Sequence, residues 1–374
     1  MHVVLDLLHI RTPIYMGIAN MAYNLAKGFH DYSKCQVSVL VWAEMSGFIA
    51  GAIDREMHQI VLPDRLKDVP RYRRGLCPSR VKELLAENKV DVILTTYFNL
   101  SSYVYPKAYH QICVVHDMQP FKNELDESHY YRALKWLLQS VAYYRLVPHI
   151  VTISQYVRGD VRRYSGKEPV VIYNSIGERT AGEQRIKEIE NIPYILDVNT
   201  FWKYKNTERL ILAFCAIKDR IPHRLYLKGV NDNEDRYKDL SVFIDRLGVK
   251  DRVILDISNR SEEEMNYLYS HASLFVSPSL REGFGLTPIE ASLHKVPVVV
   301  SNIETLLEVT DGMVDSFDPK SVESIAEVML NALQHPPSSA ELEGIAAHYK
   351  EKYSSKCQTD AYMRLIESVA NMKT

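Results

Sequence analysis

Short apolar, β-branched runs alternate with segments of helical period along almost the whole chain. That alternation fixes the fold class, because successive parallel strands need a crossover and a helix is the usual one. In the first half, runs at 2–8, 36–42, 90–95, 111–116, 149–153 and 169–173 predict strands, with helices at 17–29, 78–88, 128–146 and 154–164 between them. The second half repeats the scheme, with strands at 193–198, 223–228, 252–255, 273–277, 297–300 and 313–316. Its helices fall near 205–219, 233–246, 261–271, 287–295 and 319–334. The expected fold is α/β, two Rossmann-like domains in series. A polar stretch from Gly177 to Arg185 has linker character, which places the first domain at 1–178 and the second at 190–350. Two such sheets leave a cleft between their carboxyl ends, where open α/β folds bind ligands.

A length of 374 residues suits two domains of roughly 170 residues each, and 46% apolar with 25% charged residues is enough to bury two cores. The net charge of −2 argues against nucleic-acid binding. Residues 1–180 hold 22 Lys+Arg against 17 Asp+Glu, a surplus of +5 that leaves −7 for the remainder. That asymmetry is either scatter or a first half suited to an anionic acceptor or membrane surface. Five scattered cysteines without a CxxC pair read as reduced thiols and no zinc site. Met1 leads straight into a strand-like run with no basic region or cleavage site, and no apolar stretch is long enough to span a bilayer. The expectation is a cytoplasmic protein whose membrane contact, if any, is peripheral.

The stretch richest in chemistry is Ser277-Pro278-Ser279-Leu280-Arg281-Glu282-Gly283-Phe284-Gly285-Leu286-Thr287-Pro288-Ile289-Glu290-Ala291. It lies between two apolar strands, Leu274–Val276 and Val296–Ser301, and puts a glycine loop directly before a helix. Thr287 suits an N-cap, Pro288 the first helical position, and Glu290 falls three residues after the cap. Glycines let backbone N–H groups approach a ligand, and a helix start adds unsatisfied donors that favour a diphosphate. Thr287 and Glu290 also make a capping box by themselves, and Gly283-x-Gly285 alone is a weak fingerprint.

Together these residues resemble the retaining GT-B glycosyltransferases of family 4, the glycosyl transferases group 1. Glu282 and Glu290 match that family's Glu-x7-Glu, with the right loop and flanking strands, and the likeness continues through Asn302–Val309 with Leu307 where proline is usual. The resemblance implies that Glu282 contacts the hydroxyls of the donor sugar and Glu290 those of the ribose. The backbone amides of Phe284, Gly285 and Leu286 would surround the sugar, and Leu286 and Thr287 the distal phosphate, with Gly283 also among the donor-binding residues. Lys205, in Lys203-Tyr204-Lys205-Asn206, matches the lysine that neutralises the leaving diphosphate, whereas Thr200 stands where many members carry an arginine. Lys203 and Arg281 are candidate substitutes for that second cation. His116, in Val114-Val115-His116-Asp117, matches a histidine near the reacting sugar. Gly17 and Gly229 each keep one glycine of a family loop. The segment 351–374 would return as a helix to pack on the first domain.

By that resemblance the chain is a hexosyltransferase with Lys205, Glu282 and His116 at its catalytic centre. Its donor is a nucleotide-diphosphate sugar, leaning toward mannose. Its acceptor is a glycan or a lipid-linked molecule, as in bacterial surface polysaccharide synthesis. No Asp-x-Asp motif stands in a setting suited to a divalent metal, so neither a metal nor another cofactor is expected. The alternatives are a GT-B sugar-nucleotide epimerase or hydrolase, and an inactive GT-B scaffold. The Tyr- and Arg-rich segments 71–80 and 130–145 suit either an acceptor surface or core helices.

Overall fold

A computed structural model describes residues 1–13, 17–63, 77–98, 103–118, 138, 140–177, 182–230 and 234–371. It divides into two compact units, one of Met1–Gly177 with Tyr353–Thr374 and one of Glu178–Lys352.

The first unit is built on a seven-stranded parallel sheet: β1 (His2–Asp6), β2 (Gln36–Trp42), β3 (His58–Leu62), β4 (Val92–Thr95), β5 (His110–Val115), β6 (His149–Thr152) and β7 (Val170–Val171). Its order is β3-β2-β1-β4-β5-β6-β7, so the winding reverses between β1 and β4. The central strands are continuous buried apolar runs, as strands covered on both faces must be. β3 is an edge strand that starts on His58 and Gln59 and is only partly buried, which is why no apolar run announces it. The sequence reading also passes over the short helix Ser46–Ile53. Most of the segments 71–80 and 130–145, and of the helix expected at 128–146, lies outside the described residues, as does the middle of the expected linker.

The second unit carries six parallel strands: β8 (Tyr194–Val198), β9 (Arg224–Lys228), β10 (Val253–Asp256), β11 (Leu274–Ser277), β12 (Val298–Ser301) and β13 (Asp315–Phe317). Their order, β10-β9-β8-β11-β12-β13, reverses between β8 and β11. One apolar core joins Leu210, Phe214 and Phe201 to Leu225, Val276 and Met329.

The segment 351–374, expected as one returning helix, instead begins with the last residues of one helix and continues as another. Ser339–Lys352 belongs to the second unit, where the Tyr349 hydroxyl donates to the Thr310 carbonyl at 2.7 Å. The chain breaks at Tyr353, and Ser354 starts a new helix, Ser355–Ala370, by accepting from the Cys357 amide at 3.2 Å. That helix belongs to the first unit and lies along Gly17–Tyr32, with the Phe29 and Tyr362 rings 6.0 Å apart. Among the described residues, no helix is long and apolar enough to cross a membrane.

Candidate active site

In open α/β sheets the reversal of strand order leaves a crevice at the carboxyl ends of the strands. In the second unit that crevice lies between β8 and β11, and the chain leaving each strand brings one charged residue to it. Lys205 follows β8, Glu282 follows β11, and the Lys205 ammonium donates to Glu282 Oε1 at 2.7 Å. The two side chains are 16% and 13% exposed, so solvent screens the pair little.

Local structure explains how Lys205 is placed. Lys203–Lys205 is a single 3₁₀ turn, and Asn206 ends it in the left-handed region at φ +63° before the helix Thr207–Ile217 begins. The Asn206 amide makes that conformation worthwhile by donating to the carbonyls of Pro278 (3.0 Å) and Pro319 (2.7 Å). The Leu280 amide donates to the Tyr204 carbonyl at 2.7 Å, which ties the lysine turn to the glutamate loop. Upstream, Asn199 donates to the Asp197 carboxyl and accepts from the Phe201 amide. Phe201 is itself left-handed at φ +56°, and its buried ring lies so close over Gly229 that a Cβ there would collide with it. Gly229 is therefore a packing glycine.

The glutamate loop is held just as locally. Thr305 Oγ1 donates to the Glu282 carbonyl at 3.0 Å, and Phe284 is buried. Gly285 has φ +98°, and a side chain there would also meet Leu306, so no other residue fits. Here the structure corrects the sequence reading: Gly285 is the N-cap of the helix Leu286–Leu293, and no side chain caps it. Thr287 and Pro288 lie within the first turn, where proline's missing N–H leaves no hydrogen bond unmade. Glu290 forms no capping box, and Tyr269 donates its hydroxyl to Glu290 Oε2 at 2.8 Å. Ser261 and Glu264 make a capping box instead, at the helix Glu262–Ser270. Glycine wins at Leu286–Leu293 because only a left-handed residue turns the loop straight into the helix. Its first amides are thereby left uncapped by any side chain, as an anion site needs.

Two buried acids shape the charge here, and the sequence reading missed the first of them. Asp197, the one acid in the run Tyr194–Val198, is almost fully buried. Burial pushes its carboxyl up to about 8, against the opposing pull of Lys205 and Asn199. Burial works against the Lys205 ammonium too, but Glu282, Tyr204 and Asp197 outweigh it and hold that group above the ordinary lysine value. Farther along the same edge, Asp256 accepts from Tyr226 Oη (2.5 Å), Arg260 Nε (2.9 Å) and Ser258 Oγ (2.6 Å). These bonds overcome burial and bring its carboxyl down to about 2.

The Asp197 shift has a consequence for stability. Its folded value lies above the unfolded value of 3.8, so the folded chain keeps a proton that the unfolded chain releases. Its contribution to stability is full below about pH 4 and is lost as pH rises toward 8. Asp197→Asn mimics the protonated form. The variant's melting temperature is expected to exceed that of wild type by at least about 2 °C at pH 8, with the difference shrinking at pH 5, in thermal melts across that range. Equal pH slopes for the two proteins would contradict the assignment.

Lys205, Gly229, Glu282, Gly283, Phe284, Gly285, Leu286, Thr287 and Glu290 thus all lie in the second unit, on the loops that leave β8, β9 and β11 and on the helix Leu286–Leu293 that follows. Gly17 and His116 lie in the first unit. Gly17 opens the helix Gly17–Tyr32 at φ +51°, and among the described residues nothing stands within 4 Å of where its Cβ would be, so the backbone conformation is what asks for glycine there. His116 follows β5 and is buried, and its Nε2 is 2.8 Å from the Thr96 carbonyl.

Residues 179–348 match the family described as glycosyl transferases group 1, and residues 15–177 match glycosyltransferase family 4. The O-antigen chain mannosyltransferase RfbU of Salmonella typhimurium is 30% identical over 249 residues, which cover 65% of this chain and 67% of RfbU. The chain belongs to the group 1, family 4-like glycosyltransferases. The serotype-specific mannosyltransferase WbdA of Escherichia coli is 26% identical over 69% of this glycosyltransferase, which spans only 34% of WbdA's length. The fold is GT-B. Sucrose-phosphate synthase from Thermosynechococcus elongatus superposes with a TM-score of 0.72 at 16% identity over 98% of both chains. Anabaena HepE, in a structure with UDP-glucose, superposes with a TM-score of 0.70 at 15% identity over 98% of this chain and all of HepE.

Proposed function

We propose that the chain transfers a hexose, with mannose the first candidate, from a nucleoside-diphosphate sugar to a glycan or lipid-linked acceptor of a surface polysaccharide. Transfer retains the anomeric configuration and uses no metal. The observation that carries this reading is the Lys205–Glu282 pair at the β8/β11 crevice beside the uncapped helix start at Gly285. The names of RfbU and WbdA support mannose, and HepE's bound UDP-glucose supports a nucleotide-sugar donor.

Glycosyl transfer breaks the bond from the anomeric carbon to a phosphate oxygen, so negative charge grows on the leaving diphosphate while positive charge gathers on the sugar ring. Fixed donors aimed at the developing charge are usually the largest catalytic contribution. Before the donor arrives, Lys205 is neutralised by Glu282. An arriving diphosphate competes for the lysine and is also met by the amides of Leu286 and Thr287. Glu282 is then released to accept hydrogen bonds from the sugar hydroxyls. Glu290, oriented by Tyr269, takes the ribose. The leaving phosphate oxygen takes up the acceptor proton, so no separate carboxylate base is required.

The test incubates the full chain with GDP-mannose, UDP-glucose, ADP-glucose and dTDP-glucose in EDTA. Thermal shift reads donor binding; for turnover an acceptor, such as a lipid-linked oligosaccharide, is added, and proton NMR reads the anomeric configuration of the product. One nucleotide sugar is expected to raise the melting temperature, since a ligand that binds only the folded state stabilises it. Its sugar is then expected in the product with unchanged configuration. Stabilisation by none of them sinks the proposal, and sugar release or rearrangement without an acceptor points to hydrolase or epimerase chemistry instead.

A further inference from the structure

The turn that carries Lys205 runs between two left-handed residues, Phe201 at φ +56° and Asn206 at φ +63°. Asparagine enters that region readily, and the Asn206 side chain is bonded to the Pro278 and Pro319 carbonyls. A phenylalanine does not, so the conformation at 201 lasts only because its surroundings hold it. The Phe201 amide is held by Asn199, and its ring takes the space that Gly229 leaves open. Its carbonyl is held from another crossover. Arg236, on the helix Glu234–Arg246 that follows β9, donates from Nε to that oxygen at 2.8 Å.

Nη2 of the same guanidinium pairs with Glu208 Oε1 at 2.5 Å, and Glu208 stands in the first turn of the helix Thr207–Ile217. Nε and Nη2 share one edge of a rigid plane, so their two partners are set at a fixed separation. One side chain thus spans the lysine turn, gripping one residue upstream of Lys205 and another downstream. Stability alone accounts poorly for this arrangement. The Arg236 side chain is only 9% exposed, and a buried ion pair can often be replaced by apolar residues without loss of stability. What the pair fixes is geometry, the path of the chain on both sides of Lys205.

We propose that Arg236 is a positioning residue for the transfer reaction, bridging Phe201 and Glu208 so that the Lys205 ammonium stands where the leaving diphosphate needs it. The inference rests on the transferase reading for the diphosphate, while the grip on the lysine turn stands without it.

The test uses the full chain and Arg236→Lys, which keeps the positive charge but loses the planar fork. Without nucleotide, acetylation of lysines by acetic anhydride is followed by mass spectrometry. Lys205 is expected to react several-fold faster in the variant, because its contact with Glu282 loosens, while the exposed Lys250 reacts at the wild-type rate. GDP and GMP, with UDP and UMP beside them, then measure the reach to the β-phosphate that only the diphosphates carry. The ratio of diphosphate to monophosphate affinity is expected to fall about fivefold or more in Arg236→Lys. Added to Lys205→Ala, the same substitution is expected to lower the ratio no further, because it acts through the lysine. A role in folding alone would weaken both nucleotides equally. Glu208→Gln, at a partly exposed residue, is expected to move both readouts the same way by a smaller factor, and it decides the matter if Arg236→Lys is unstable. Unchanged Lys205 labelling in both variants, or an equal fall of the ratio with and without Lys205, overturns the proposal. A wild type that binds none of the nucleotides sinks the transferase reading, and the labelling result still decides the grip.

Discussion

Lys205→Ala is expected to lower kcat on the order of 10²–10³-fold, about 3–4 kcal/mol, which is what removing one preorganised donor to a developing negative charge does. KM for the nucleotide sugar rises less, because the charge that Lys205 meets is larger on the leaving diphosphate than on the bound donor. The same substitution leaves Glu282, only 13% exposed, beside Asp197 without its cation, so the melting temperature falls as well. Glu282→Gln in the same background removes the stranded charge and is expected to restore melting temperature without restoring turnover. Because Glu282 itself meets the sugar, turnover of the double variant is compared with that of Glu282→Gln alone, which keeps Lys205 and is expected to turn over faster. A variant whose kcat recovers together with its stability would show that Lys205 matters only for folding. Steady-state kinetics beside thermal melts check both halves.

Gly229→Ala is expected to be the most damaging of the small changes. The added methyl falls within the envelope of the buried Phe201 ring, and a ring packed into the core of the second unit has nowhere to go. Overpacking of this kind costs about 1–3 kcal/mol. The functional effect is expected to be larger than the loss of stability suggests. Phe201 sits four residues before Lys205, its amide is bound to Asn199, and its carbonyl accepts from Arg236 Nε at 2.8 Å. Pushing the ring therefore moves the turn that carries the lysine, and nucleotide affinity is expected to drop at least about tenfold, the loss of one well-placed hydrogen bond. Phe201→Leu should relieve the clash. The double variant Gly229→Ala/Phe201→Leu is then more stable than the sum of the two single effects, whereas strict additivity would mean that the contact carries no strain. Denaturant melts and nucleotide titrations measure the cycle.

Much of this fold was legible because its central strands are uninterrupted apolar runs, such as Leu274-Phe275-Val276, which only a doubly covered strand or a core helix tolerates. β3 was not legible: an edge strand opening on His58-Gln59 needs only one good face, and two polar residues break the run. The break at Tyr353 was hidden for a different reason. Apolar spacing continues through it, and only tertiary structure shows that Tyr349 packs in one unit and Tyr362 in the other.

In the site, a glycine loop opening into a helix could be read from the residues themselves, whereas Lys205 and Glu282 were singled out only by their resemblance to the family 4 motifs. The capping box at Thr287 was misread because Thr-Pro-x-Glu satisfies the local rule equally well, and the left-handed φ of Gly285 that overrides it is a property of the loop's path. Asp197 left one sign in the sequence, an acid inside an apolar strand, but its proximity to Lys205 depends on the 3₁₀ turn and is invisible in one dimension.

The most direct measurement is a crystal structure of the chain with the nucleoside diphosphate of whichever donor stabilises it. The expected result is a β-phosphate within ion-pair distance of Lys205 Nζ and over the amides of Leu286 and Thr287, with the Lys205–Glu282 contact of 2.7 Å opened. A diphosphate bound elsewhere while that contact stays closed would contradict the central claim.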